Sequence, residues 1–206
     1  MSQRIVILGS EERQIFLCLV GYLRKHQSAE IVLVIFDRPS PSLAQTLHRM
    51  GCEFQVIRHH KISSRKREDY EQELLEVVNK ARPDWIILCG YSWILSPVFV
   101  RRFQWRILNI HPSLLPAFPG ADAIEDAWWW GVKITGVTIH FVDEKVDNGP
   151  IILQEAYHIK NNDTQETIYD ALVEIGKELF KKAINLVLTK KVCIEGRRVK
   201  VEESKW

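Results

Sequence analysis

No run of apolar residues in this chain is long enough to span a membrane. The longest, Ile31 to Phe36 and Trp85 to Cys89, fall far short of the roughly 20 residues a spanning helix needs. Cysteine is scarce, and Cys18, Cys52, Cys89 and Cys193 include no C-x-x-C pair, which argues against a Cys-based zinc or dithiol centre. Each sits in an apolar context, so all four read as buried thiols of a reducing compartment. An excess of either charge is also missing. Lys and Arg number 28 and Asp and Glu 26 in 206 residues, a formal charge of +2, whereas an electrostatic nucleic-acid binder carries a strong basic excess. There is no H-E-x-x-H and no Cys/His cluster, so no metal is expected. The apolar stretch within Met1 to Gly9 is too short for a signal peptide. The expectation is a cytoplasmic protein with neither a membrane nor a nucleic-acid partner.

What is present is ordinary globular composition, 46% hydrophobic and 26% charged, enough to bury a sizeable core without staples. The first half alternates strand-like and helical stretches. Arg4 to Leu8 is strand-like and ends at Gly9-Ser10. From Glu12 to Lys25, Ile15, Phe16, Leu19, Val20 and Leu23 recur at helical spacing. Ile31 to Phe36 reads as a strand buried on both faces. Pro39-Ser40-Pro41 breaks the chain before a helix from Ser42 to Met50, closed by Gly51. Phe54 to Ile57 is a third strand. A polar turn from Ser63 to Lys66 leads to a helix from Arg67 to Lys80, and Trp85 to Cys89 is a fourth strand. Strand alternating with helix predicts an α/β protein with a mostly parallel twisted sheet and helices on both faces. Ligands then belong at the carboxyl ends of the strands, after Leu8, Phe36, Cys89 and Ile110.

The second half changes character. Val137 to Phe141 alternates as a one-sided strand does, Ile151 to Ile159 can pair with it antiparallel, and Thr164 to Leu188 is a long amphipathic helix. Gly196 punctuates a strand-like tail. With no linker or repeat, the chain reads as a single domain over 1–206, divided into halves 1–110 and 111–206.

The chemically suggestive stretch is Asn109-Ile110-His111-Pro112-Ser113-Leu114-Leu115-Pro116. In extended backbone, Asn109 and His111 point to the same face. A carboxamide beside an imidazole suits stabilisation of an oxyanion, and a carboxylate is needed to tune the ring. Asp147, in the acidic turn Asp143 to Pro150, is the candidate. From spacing alone the plainer readings stay open: a core histidine, a strand-end cap and a turn carboxylate.

In order and at the right spacing, Leu88-Cys89-Gly90-Tyr91, Ile94-Leu95-Ser96-Pro97, Asn109 to Pro116, Ala117-Phe118-Pro119-Gly120, Gly131 to Thr138, His140 to Glu144, Asp147 and Gly149 to Ile152 resemble the folate-dependent formyltransferases. The resemblance implies a Rossmann-like formyltransferase fold and transfer of formyl from 10-formyltetrahydrofolate, as co-substrate, to a small-molecule primary amine. Glycinamide ribonucleotide of purine biosynthesis is the first candidate acceptor. An amino-sugar nucleotide, or water in a 10-formyltetrahydrofolate hydrolase, are the alternatives. A folate- or nucleotide-binding module without turnover is a further alternative, against which the joint retention of Asn109, His111 and Asp147 argues. These three are the implied catalytic residues, with His111 acting as a protonated donor charged by Asp147. Tyr91, Ser92, Trp93, Ile94, Leu95, Phe141, Val142 and Arg67 are the implied folate contacts. Gly9, Ser10, Arg13 and Pro112 are the implied acceptor contacts.

The departures fall on the acceptor side. Gly9-Ser10-Glu11-Glu12-Arg13-Gln14 stands where the family carries Gly-Ser-Asn, and two carboxylates at a helix N-terminus repel a phosphate. Gly176 stands where the family carries a glutamate, and Trp93 where it commonly carries arginine. Seven tryptophans are an unusual count, and three are consecutive: Trp128-Trp129-Trp130 ends a helix beginning near Ala121. Three successive helical residues span about 200°, so at least one is exposed or meets a partner. Two buried and one exposed is the expectation. The alternatives are an acceptor-side aromatic wall and a subunit contact, hence a homodimer.

Overall fold

A computed structural model of the chain describes residues 2–10, 14–38, 40–63, 66–189 and 191–201. The chain forms two compact units, Met1–Ile107 and Leu108–Trp206.

The first unit runs β1 (Gln3–Gly9), α1 (Gln14–Leu23), β2 (Ala29–Phe36), α2 (Pro41–Arg49), β3 (Phe54–Val56), a 3₁₀ turn (His60–Ile62), α3 (Arg67–Ala81), β4 (Trp85–Leu88) and α4 (Pro97–Arg102). Its strands lie in the order β3-β2-β1-β4, all parallel. Central β1 has Ile5 to Leu8 fully buried, as a strand covered on both faces must. Helix α1 buries the five apolar residues that its periodicity picks out. Two helices start on Ser-Pro: the Ser40 and Ser96 hydroxyls accept from the Leu43 and Phe99 amides, with proline next in line. The second of these, α4, was not anticipated. Strand β2 departs from its expected double burial, because β3 pairs only with Val34 to Phe36 and leaves Ile31 and Val32 half-exposed.

The second unit opens with β5 (Ile107–His111) and continues through α5 (Ala123–Trp129), β6 (Ile134–Phe141), β7 (Ile151–His158), α6 (Gln165–Leu188), β8 (Val192–Glu195) and β9 (Arg198–Val201). Strand order is β5-β6-β7-β9-β8. Pairs β5–β6, β6–β7 and β8–β9 are antiparallel, and β7–β9 is parallel. The α/β class and the antiparallel C-terminal part are as the sequence suggests. Helix α6 is capped by Thr164 and Thr167, which bond reciprocally. It lays Ile168, Leu172, Gly176, Leu179, Phe180 and Ala183 inward, so Gly176 is a packing position.

Three expectations need correction. Strand β6 is not one-sided: every residue from Thr135 to Phe141 is buried. Helix α6 packs against it, and the loop after β5 lies over its polar positions. A Cβ on Gly136 would stand 2.7 Å from Leu114 Cδ2 and 2.2 Å from the Glu155 carbonyl, so that close approach needs glycine. Only Cys52 and Cys89 are buried; Cys18 is half-buried and Cys193 exposed, the latter on the β8–β9 hairpin. All three consecutive tryptophans are exposed, Trp128 at 41% and Trp129 and Trp130 at 78% each. Helix α5 buries only Ala123 and Ala127 and ends before its inward face recurs.

Candidate active site

Strand pairing builds the site in the second unit. The β5–β6 register sets Asn109 opposite His140 and His111 opposite Thr138, so four polar side chains share one face of the hairpin. Above them lies the Asp143 to Pro150 loop. Asp143 accepts from the Lys145 amide at 3.0 Å and from Asn148 Nδ2 at 2.7 Å, and Arg197 holds the Asn148 carbonyl at 2.7 Å. Gly149 is a second required glycine: a Cβ there would be 1.8 Å from the Phe141 carbonyl oxygen. Asp147 itself takes a left-handed φ of 48°, an unfavourable backbone state that the loop imposes.

The Asp147 carboxylate is the hub. Oδ2 accepts from the Gly120 amide at 2.8 Å and lies 3.3 Å from His111 Nδ1. Oδ1 accepts from Asn109 Nδ2 at 3.4 Å and lies 3.5 Å from His140 Nε2. Burial pushes this carboxyl up, but the His140 and Gly120 hydrogen bonds and the two imidazoles outweigh it and hold it below the usual range. For His111 the balance goes the other way. Burial drives its pKa down, and Asp147 and the Phe118 carbonyl recover only part of that, so the ring sits below its ordinary value. The two effects on the expected imidazolium therefore oppose each other: desolvation of a 4% exposed side chain disfavours the charged ring, while Asp147 and the Phe118 carbonyl favour it.

His111 Nε2 is 2.7 Å from the carbonyl oxygen of Phe118. A carbonyl only accepts, so Nε2 carries a proton, and Nδ1 faces the Asp147 carboxylate. His140 donates from Nδ1 to the Phe141 carbonyl at 2.9 Å, and its Nε2 lies 3.2 Å from Asn109 Nδ2 and 3.5 Å from Asp147 Oδ1. Sequence reasoning missed His140, although it lies two residues from Thr138 in an alternating strand. Pairing that strand with Asn109 to His111 would have found it.

Beneath the hairpin, Thr138 Oγ1 donates to the Ser113 carbonyl at 2.6 Å and accepts from the Leu115 amide at 3.0 Å. Gln154 Nε2 donates to both Thr138 Oγ1 and the Leu115 carbonyl at 2.9 Å. The loop from His111 to Leu115, which includes the half-buried Pro112, is thus fixed at its backbone. Phe141 is core and Val142 half-buried.

In the first unit, the segment expected to meet folate is tethered residue by residue. The Tyr91 hydroxyl bonds that of Tyr70. The Ser92 amide donates to Ser10 Oγ at 3.0 Å. The Trp93 indole N–H donates to the buried Asp37 carboxylate, and its ring stacks on His59 at 3.8 Å. That leaves Ile94, 70% exposed, and the half-buried Leu95 outside these ties. Arg67 opens α3 and pairs with Glu71 at 2.7 Å. Ser10 is buried, and a Cβ on Gly9 would be 2.9 Å from the Phe36 ring. Arg13 lies outside the described residues, as do Glu11 and Glu12.

The family model described as formyl transferase matches residues 3–184. The chain belongs to the formyl transferase family. It is 31% identical over 190 residues to phosphoribosylglycinamide formyltransferase of Bacillus subtilis, covering 90% of this chain and 95% of that one. It is 34% identical over 200 residues to formyltetrahydrofolate deformylase of Escherichia coli K12, covering 95% of this chain and 69% of the relative. Among solved structures, this formyl transferase superposes on glycinamide ribonucleotide transformylase 1 of Symbiobacterium toebii with a TM-score of 0.91 at 32% identity, covering 98% and 95% of the two chains. Among the described residues, no group of three or more His, Cys, Asp or Glu side chains is arranged to hold a metal, and no helix is long and apolar enough to cross a membrane.

Proposed function

We propose that this enzyme moves the formyl group of 10-formyltetrahydrofolate onto a primary amine, with glycinamide ribonucleotide as the first acceptor to test, and that the whole chain acts as one formyltransferase domain in the cytoplasm. The observation that carries the mechanism is the oxygen 2.7 Å from His111 Nε2. A formyl oxygen that took the place of the Phe118 carbonyl would receive the same bond. The amine attacks the formyl carbon, and negative charge develops on the oxygen against the His111 N–H and the Asn109 N–H that at rest makes the long 3.4 Å bond to Asp147. The new nitrogen carries an excess proton. The His111–Asp147 pair, with Nδ1 3.3 Å from the carboxylate, is the place to receive it, held there by a charge-assisted hydrogen bond. The bond from carbon to N10 of the folate then breaks, and N10 leaves with a proton returned through the same pair. His140 holds Asn109 and Asp147 in register. Folate contacts at Tyr91 to Leu95, Arg67, Phe141 and Val142, and acceptor contacts at Gly9, Ser10, Arg13 and Pro112, belong to this proposal. The inward tethers of Tyr91, Ser92 and Trp93 favour backbone groups and Ile94 and Leu95 as the surfaces offered.

A hydrolytic reading has one observation in its favour, the 34% identity to a deformylase over 95% of the chain. Loss of formyl from 10-formyltetrahydrofolate, followed by absorbance, separates the two. Turnover that requires glycinamide ribonucleotide supports the first reading. Turnover that requires an amino-sugar nucleotide changes the acceptor. Turnover with neither, abolished in His111→Ala, establishes the hydrolase. Absence of turnover in every case overturns the enzymatic proposal.

A further inference from the structure

We propose that the tryptophan face at the end of α5 is a homodimer interface, occupied by a second copy of this chain. Trp128, Trp129 and Trp130 and, at the start of β6, Ile134 are exposed apolar side chains that none of the described residues covers. Taking about 250 Å² for a tryptophan side chain, the exposed indole surface is about 500 Å². That is at the upper end of what a monomer leaves bare, and over half of the roughly 800 Å² each partner contributes to a standard interface.

Beside these side chains lies a recess of about 240 Å³ lined by Trp128, Val132, Lys133, Lys160, Asn161 and Asp163. A cavity of about 150 Å³ already holds a benzene ring, so this one has room for an indole. Exposed indoles and a recess on the same patch are what a two-fold contact needs, because residue i of one copy meets residue j of the other twice. The rim is mixed in sign, with Glu125 and Asp126 on α5 and Lys133 and Lys160 around the recess. A two-fold axis can set acid against base at both ends, whereas an anionic membrane or a nucleic acid would meet carboxylates. Aromatic centre and polar rim match interface anatomy. Ile134 and His140 are six residues apart on β6, about 20 Å, so a copy docked here leaves His111 and Asp147 clear.

Light scattering coupled to size exclusion, from 5 to 200 µM protein (~0.1–5 mg/ml), tests this. The expected mass is twice that of the chain, falling to the chain mass in the double variant Trp129→Ser, Trp130→Ser, with at least a 100-fold weaker dimer and formyl transfer per subunit unchanged. Should that variant not fold, iodide quenching of the unaltered protein reads the same surface, and quenching that falls as concentration rises supports the interface. A monomer at the highest concentration, quenching that ignores concentration, a dimer that survives both substitutions, or sedimentation with phosphatidylserine vesicles instead of self-association, each overturns the proposal.

Discussion

Asn109 and His140 face each other across the β5–β6 ladder, with Nδ2 of the amide 3.2 Å from Nε2 of the ring. Because Asn109 Nδ2 also reaches Asp147, His140 sets the direction in which the amide presents its hydrogens. His140→Ala is expected to lower kcat about 10- to 100-fold with a smaller change in KM, the mark of misplaced catalytic groups. Steady-state kinetics on formyl loss read this directly.

Asp147→Asn retains shape but cannot share a proton with His111 Nδ1. Transfer is expected to fall by about 10³ or more, while binding of a non-transferable folate analogue, followed by fluorescence, remains measurable. A near-normal rate would remove Asp147 from the mechanism.

Thr138→Val strips two buried backbone groups, Ser113 C=O and Leu115 N–H, of their partner. The expected cost is about 1–3 kcal/mol for each group left unsatisfied, seen in denaturant melts, together with a fall in kcat. Thr138→Ser keeps the hydroxyl and should restore most of both.

Acid sensitivity should have a defined origin. His59 is stacked on Trp93, and burial, reinforced by His60, Lys61 and Arg67 and opposed by Asp37, holds its pKa at about 4. His111 is displaced in the same direction by burial. An unfolded histidine binds its proton near pH 6.5, so between that value and about 4 the unfolded chain holds more protons than the folded one. The stabilisation is complete above pH 6.5 and is lost as pH falls towards 4. Tm measured over this range should decline, and His59→Phe, which keeps a ring on Trp93, should flatten the decline to what His111 leaves.

Gly149→Ala forces a methyl onto the Phe141 carbonyl oxygen, 1.8 Å from the ideal Cβ. The loop must lift, carrying Asp147 with it. Activity is expected to drop at least 10-fold even where the variant stays folded by circular dichroism.

Much of this was legible in advance because it rests on periodicity and local chemistry. The apolar face of α1 and the Thr164 start of α6 follow from spacing and capping alone. Asn109, His111 and Asp147 could be named as a set from ordered motifs. The balance at His111 could not, since it sets burial against a carboxylate 3.3 Å away, and burial is a property of the packed chain. His140 escaped for a related reason: its partner is 31 residues distant and only strand register joins them. The double burial of β6 needed the loop at Leu114, and the inward tethers of Tyr91 and Trp93 needed Tyr70, Asp37 and His59. The tryptophans misled because α5 is a single short helix whose only buried positions are alanines.

The hairpin register carries a constraint on how such a chain can change. Side chains alternate faces with a period of two, so one residue inserted between Ile107 and Asn109 would send Asn109 and His111 to the opposite face, and one inserted between Asn109 and His111 would part them. The segments on either side, 112–122 and 142–150, carry no such parity. Diversification of substrate in this scaffold is therefore open to changes of loop length and to point substitution on the strands, but closed to changes of strand length: the ladder acts as a reading frame for the catalytic face.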